Sequence, residues 1–210
     1  MYRCSVRGAE ADVALGDDVR KARIPKSYRH PELDERLRTE RTRAEARLLN
    51  GARKAGVPTP LVRDADVREA TLTMQRVGDA DLATALTPER AWTVGRLLAR
   101  LHDAGIVHGD PTTRNVRVRT GSNGDRDADA SDAGATRPDT FLIDFGLGFQ
   151  TDHVEDYAMD LHVFAGSVEG TADEPERVVG AFESGYAAEG KRAGAVLDRL
   201  AEVRDRGRYQ

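Results

Sequence analysis

The sequence predicts an α+β fold in two lobes, a strand-rich N-terminal half carrying one long helix and a helical C-terminal half, with a cleft between them. Three observations point there. Glycine-punctuated short strand patterns fill residues 1–24, one long charge-rich helical period follows over 31–55, and helical periods dominate beyond residue 87. The chain of 210 residues is 39% apolar, enough for two small lobes around a shared cleft.

The elements follow in order. Gly8 and Gly16-Asp17-Asp18 break the first strands, and residues 19–24 read as a strand. Leu33, Leu37, Ala44, Leu48 and Leu49 recur as the apolar face of a helix over 31–55, which Gly56 ends. Pro58 and Pro60 mark an extended connection, and residues 69–77 alternate as a strand before Gly78. Residues 1–77 therefore read as the N-lobe and 78–210 as the C-lobe. There Thr87 caps a helix with Pro88 in its first turn. Ala91, Val94, Leu97, Leu98 and Leu101 give that helix its period, and Gly105 closes it. A short strand is expected at 116–118, a helix over 154–168 and one or two more over 175–200. Residues 120–139, rich in Asp, Gly and Ala, carry no apolar period and read as a flexible acidic surface loop. Residues 204–210 read as a short, mobile basic tail.

Charged residues make up 32% of the chain, with a formal net charge of -4. Asp is abundant and Lys scarce beside Arg, which suits either a salt-adapted cytosol or an ordinary acidic protein. The overall charge gives no support to nucleic-acid binding. Cys4 is the sole cysteine, so neither an internal disulfide nor a thiolate zinc site can form. No run approaches a membrane span and no secretory signal opens the sequence, so a cytoplasmic protein is expected.

The chemistry concentrates in two segments. Ile106-Val107-His108-Gly109-Asp110-Pro111-Thr112-Thr113-Arg114-Asn115 places an Asp and an Asn five positions apart on one loop. Phe141-Leu142-Ile143-Asp144-Phe145-Gly146 then sets a second Asp after an apolar run. A phosphotransferase using ATP and Mg2+ needs this set: one Asp takes the proton of the attacking hydroxyl, while the Asn and second Asp hold metal against the phosphates. Such a site also needs a cation on the phosphates and a carboxylate to hold it. Lys21 and, on the long helix, Glu45 are the candidates. A full glycine-rich phosphate loop is missing, and Gly8-Ala9-Glu10-Ala11 occupies its place.

In this order the motifs resemble the Bud-type small atypical protein kinase of the KEOPS complex, a relative of the RIO kinases. Those carrying the resemblance are Gly8-Ala9-Glu10-Ala11, Lys26-Ser27-Tyr28-Arg29-His30-Pro31-Glu32-Leu33-Asp34 and Arg41-Thr42-Arg43-Ala44-Glu45-Ala46-Arg47, followed by the Asp110 loop, Ile143-Asp144-Phe145-Gly146-Leu147-Gly148-Phe149 and Glu155-Asp156-Tyr157-Ala158-Met159-Asp160-Leu161. They span nearly the whole chain except 120–139. The resemblance implies that Asp110 is the catalytic base and that Asn115 and Asp144 are metal ligands. It places Gly8, Lys21 and Glu45 at the phosphates, and Met74, Gln75 and Val77 in an adenine-facing hinge. His108 and Asp160 become structural supports of the loop. Pro111 and Arg114 stand where the family usually has Leu and Ser.

The same resemblance implies a serine/threonine kinase or ATPase that regulates a Kae-type tRNA threonylcarbamoyltransferase, alongside other KEOPS subunits and their tRNA. The family kinase is fused to that enzyme in many archaea, so the chain is either a separate protein or a domain of such a fusion. Only about ten residues separate Asp144 from the next helix, too few for the peptide-docking segment of regulated kinases. Two other readings stay open: a small-molecule kinase of the aminoglycoside or choline type, which normally has a larger helical half, and a nucleotide-sensing subunit with incidental catalysis.

Overall fold

The structure is a computed structural model and describes residues 4–8, 10–121 and 138–207. Its N-terminal part is an antiparallel sheet of β1 (Cys4–Arg7), β2 (Ala11–Leu15), β3 (Asp18–Arg23), β4 (Val62–Asp66) and β5 (Thr71–Gln75), in the order β1-β2-β3-β5-β4. β3 is central, and its register sets Lys21 opposite Val13 on one side and Leu72 on the other. Two differences from the sequence reading stand out. The strand expected over 69–77 is confined to β5, and β4 lies within what read as a connection.

Helix α1 (Pro31–Lys54) crosses this sheet, with Glu32 and Asp34 in its first turn and Arg53 and Lys54 in its last, each sign complementing the helix dipole. Its buried face departs from the leucine pattern. Asp34, Thr42 and Glu45 are buried with Leu48, Leu49 and Ala52, whereas Leu33 and Ala44 are exposed. The cause is local chemistry: the early turns face cations, so carboxylates and a hydroxyl fill the inward positions, and the apolar seat begins only at Leu48. Asp34 accepts from Arg38 Nε at 2.8 Å and from the Lys26 backbone at 3.2 Å, fixing the link from β3 into α1.

The C-terminal part opens with β6 (Ala80–Asp81) and a 3-10 turn, then α2 (Pro88–Asp103), whose Thr87 hydroxyl accepts from the Arg90 N–H. The short strands β7 (Ile106–Val107), β8 (Val116–Val118), β9 (Thr140–Leu142) and β10 (Phe149–Gln150) follow. β6-β8-β9 form one small sheet and β7 pairs with β10, which brackets the Asp110 loop and the Asp144 segment between paired strands. Helices α3 (Val154–Glu169), α4 (Pro175–Glu189) and α5 (Ala193–Gly207) complete the lobe. Val94, Leu98, Leu101, Leu161, Phe164 and Phe182 are fully buried in its core. α2 and α4 cross at two glycines: a Cβ on Gly95 would sit 2.1 Å from the Phe182 carbonyl oxygen, and one on Gly185 would sit 2.0 Å from that of Trp92.

The basic tail is corrected in part. α5 runs through Gly207, so Arg204 and Arg206 are helical; Arg204 pairs with Glu183 at 2.6 Å and Arg206 with Glu155 at 3.0 Å. Carboxylates on α3 and α4 give these cations fixed partners, which composition could not reveal. The acidic loop lies mostly outside the described residues. Its base is closed by the Arg119 N–H donating to the Asp139 carbonyl at 2.8 Å. Among the described residues no helix is long and apolar enough to cross a membrane.

Candidate active site

Strand alternation puts Lys21 and Arg23 on the same face of β3, toward α1. Lys21 Nζ donates to Glu45 Oε1 at 2.8 Å and to Asp144 Oδ1 at 2.8 Å. Arg23 donates to the other Glu45 oxygen at 2.7 Å. Glu45 is only 1% exposed, so two cations offset the cost of burying its charge. Asp144 has a backbone φ of 62°, rare outside glycine, and that turn aims its carboxylate back at Lys21. Lys21, Glu45 and Asp144, but not Arg23, border a cavity of about 190 Å³. Val13, Leu15, Val19, Met74 and Val77 give it apolar walls, and Lys21, Glu45 and Asp144 form a charged end. Gln75 lines it too. The β5 ladder ends at Gln75, leaving the backbone of Arg76 and Val77 outside the sheet pairing.

The Asp110 loop is tied down from two directions. Asp160 on α3 is 2% exposed and accepts from the N–H of His108 at 2.7 Å and of Gly109 at 2.9 Å. His102 on α2 bonds Asp160 through Nε2 at 3.1 Å and Tyr186 through Nδ1 at 2.9 Å. His108 Nε2 donates to the Ile143 carbonyl at 3.0 Å, and the Ile143 N–H donates to the Asn115 carbonyl at 3.0 Å. Those two bonds couple the loop to the residue before Asp144. Asn115 Nδ2 donates to the backbone oxygen of Asp110 at 2.9 Å and to its carboxylate at 2.8 Å. Gly109 has φ 83°, and a Cβ there would sit 2.3 Å from the Leu147 carbonyl oxygen, so only glycine fits.

The electrostatics separate the two carboxylates. Burial pushes Asp110 above the usual carboxylate range, outweighing His108 and the Asn115 amide. Burial also opposes charge on Asp144, but the Lys21 ammonium and the Gly146 N–H outweigh it and hold Asp144 below that range. Burial depresses His108, outweighing the Asp160 charge. One carboxylate with raised proton affinity thus lies within electrostatic reach of another that stays ionised.

No family model matches the chain. A probable bifunctional tRNA threonylcarbamoyladenosine biosynthesis protein of Haloarcula marismortui is 57% identical over 206 residues, 98% of this chain and 35% of that protein. The protein of the same name from Halobacterium salinarum is 58% identical over 205 residues, 97% and 35% of the two chains. The chain therefore spans about a third of the length of these relatives. Among solved structures, the Rio2 kinase–ADP/Mg2+–phosphoaspartate complex from Chaetomium thermophilum superposes with a TM-score of 0.64 at 17% identity, covering 99% of this chain and 71% of that one. The chain is homologous to one part of these bifunctional proteins and has the RIO-type atypical kinase fold. That fold is the one the sequence motifs imply.

On this RIO-type fold, Lys21, Glu45, Met74, Gln75, Val77 and Asp144 border one cavity, while Asp110, Asn115, His108 and Asp160 form the adjoining loop and its support. Gly8 stands apart. It lies at the β1–β2 turn outside the cavity lining, and its N–H donates to the Ala11 carbonyl at 2.9 Å. Sequence reading missed four residues that the fold brings in. Arg23 shares Glu45, Asp81 and Arg117 form an ion pair in the cavity wall, and His102 anchors Asp160. For Arg23 the signal was available, two residues from Lys21 on one strand face. For the others, separations of 36 and 58 positions hid it.

Among the described residues no group of three or more His, Cys, Asp or Glu side chains is placed to hold a metal unaided. Mg2+ does not need one, since it keeps waters and phosphate oxygens beside one or two protein ligands. Asp144, with a side chain 47% exposed, and Asn115 suit that chemistry.

Proposed function

We propose that the chain binds ATP with Mg2+ in this cleft and transfers or hydrolyses the γ-phosphate, acting as a serine/threonine kinase or ATPase. The observation that carries the reading is Lys21 held between Glu45 and Asp144 at the charged end of an apolar cavity. The adenine would lie between Val13, Val19 and Met74, with its edge at the backbone of residues 75–77. Lys21 would neutralise the α and β phosphates, and Asn115 and Asp144 would hold Mg2+. The cation, once bound, would offset charge developing on the phosphoryl oxygens. Asp110 would orient the attacking hydroxyl or water and take its proton, and Asn115 would fix the carboxylate that does so. Asp160 would keep the loop in register.

Nine residues, 145–153, link Asp144 to α3, and part of them is β10. So short a link offers no shelf for a peptide, which favours slow autophosphorylation or ATP hydrolysis coupled to a partner. The names of the curated relatives support a role in tRNA threonylcarbamoyladenosine biosynthesis, and the motif resemblance adds a Kae-type transferase with other KEOPS subunits and tRNA as partners, in the cytoplasm. The test is incubation with labelled ATP and Mg2+, with and without that transferase, following free phosphate and phosphoprotein together. Partner-stimulated release of phosphate is the expected result. Absence of both MgATP binding and turnover in either mixture overturns the reading.

A further inference from the structure

Glu45 is shared by two buried cations, one for each of its oxygens. Lys21 and Arg23 are 8% and 7% exposed and lie 2.8 and 2.7 Å from Oε1 and Oε2. A phosphate-binding lysine needs only one carboxylate partner, so Arg23 is surplus to that task. Its placement is nevertheless fixed. The Arg23 N–H donates to the Ala70 carbonyl at 3.0 Å, and its guanidinium reaches α1 and the segment after Asp144 together. A Cβ on Gly146 would sit 3.4 Å from Arg23 Nη2, 3.5 Å from Lys21 Nζ and 3.0 Å from Asp144 Oδ1.

We propose that Arg23 is a positioning residue that seats α1 against β3 independently of Lys21, so that the Lys21–Glu45 pair is assembled before a nucleotide arrives. This rests on the reading of the cleft as a nucleotide site. The charge balance supplies the reason. Without ligand, Lys21 and Arg23 face Glu45 and Asp144, two charges of each sign. With Asp144 holding a metal ion and Lys21 neutralising phosphate, the hold of Lys21 on Glu45 would weaken. The part of α1 before Leu48 has little apolar anchorage, because its buried residues are Asp34, Thr42 and Glu45, and Asp34 is held only at the start of the helix. Arg23 cannot lose its proton and, unlike Lys21, does not line the cavity, so it is free to keep Glu45 and the helix in place.

The consequence concerns regulation. Kinases that switch by swinging this helix do so by breaking the Lys–Glu pair, usually through a long activation segment. Here the carboxylate is doubly held and the link to α3 is nine residues, so activity is controlled elsewhere than at α1.

The test compares Arg23→Ala, Arg23→Lys and Lys21→Ala by amide hydrogen exchange at residues 42–49 without nucleotide, and by MgATP kinetics. The exchange arm does not depend on turnover, so it stands even if the cleft proves inactive. Arg23→Ala is expected to speed exchange in that turn about tenfold, and Lys21→Ala less than about twofold. Arg23→Ala is also expected to raise KM for MgATP about tenfold with kcat within about threefold, because each binding event must first reseat the helix. Arg23→Lys keeps the charge at a single point and recovers most of both effects, leaving exchange about threefold faster. Should Arg23→Ala fail to fold, Arg23→Lys decides: wild-type exchange there overturns the proposal. Equal acceleration by Lys21→Ala and Arg23→Ala overturns it as well.

Discussion

Lys21 and Asp144 lie 123 positions apart in the sequence and 2.8 Å apart in the fold, Nζ to Oδ1. The ion pair joins the central strand of one lobe to the segment that closes the cleft from the other. In the proposed reaction it is also a placeholder, because Asp144 would hold Mg2+ and Lys21 would neutralise phosphate. Asp144→Ala is expected to lower MgATP turnover by about three orders of magnitude or more. Lys21→Ala is expected to lower it about 10²- to 10³-fold. Both should keep a wild-type circular dichroism spectrum, since Glu45 retains Arg23. Wild-type turnover in either variant removes the site.

Partial burial desolvates Asp110 and raises it above the ordinary carboxylate value of 3.8, while Asp144 titrates below it. If Asp110 is the base, turnover falls as pH drops through its raised value, at a pH where Asp144 is still ionised. Asp110→Asn should abolish that acid limb together with phosphoryl transfer, and leave MgATP affinity within about threefold. Pre-steady-state phosphate release across pH 3.5–7, with calorimetric MgATP binding, measures both; the span is about that of carboxylate titration.

His108 is buried and its protonation is depressed below the ordinary 6.5. Below that value the unfolded chain binds a proton that the folded chain does not, so the fold loses stability as pH falls. Denaturant titrations at several pH values should show this slope. It should flatten in His108→Gln, even where that variant is less stable overall.

Asp160 accepts from two backbone amides and from His102; Asp160, His102 and His108 are buried and Gly109 is half-buried. Asp160→Asn faces one of these donors with an NH2 group and leaves it unpaired. A loss of about 2–4 kcal/mol in unfolding free energy is expected, with turnover lowered about 100-fold. Unchanged turnover in a destabilised variant would mean that the network holds the core rather than the loop. Burial raises Tyr186 well above the usual phenol range, so it stays protonated and donates to His102.

Local chemistry wrote much of this protein directly into the chain. The strand breaks at Gly8 and Gly16, the capped start of α2 at Thr87-Pro88 and the Asp110–Asn115 spacing are short-range signals, and the two-lobed α+β fold follows from their order. The inward face of α1 departs from the leucine pattern before Leu48: Asp34 is held by Arg38 and the Lys26 N–H close by in sequence, Thr42 donates to the Arg38 carbonyl, and Glu45 is paired with Lys21 and Arg23 on β3. The fate of Arg204 and Arg206 was hidden because their partners lie on other helices. Residue types at fixed spacing determined which side chains are chemically competent. The sequence shows Arg23 only as a same-face strand neighbour of Lys21; tertiary structure decided that the two share Glu45 and that His102 stands behind Asp160, because burying a charge demands a partner wherever the fold can supply one.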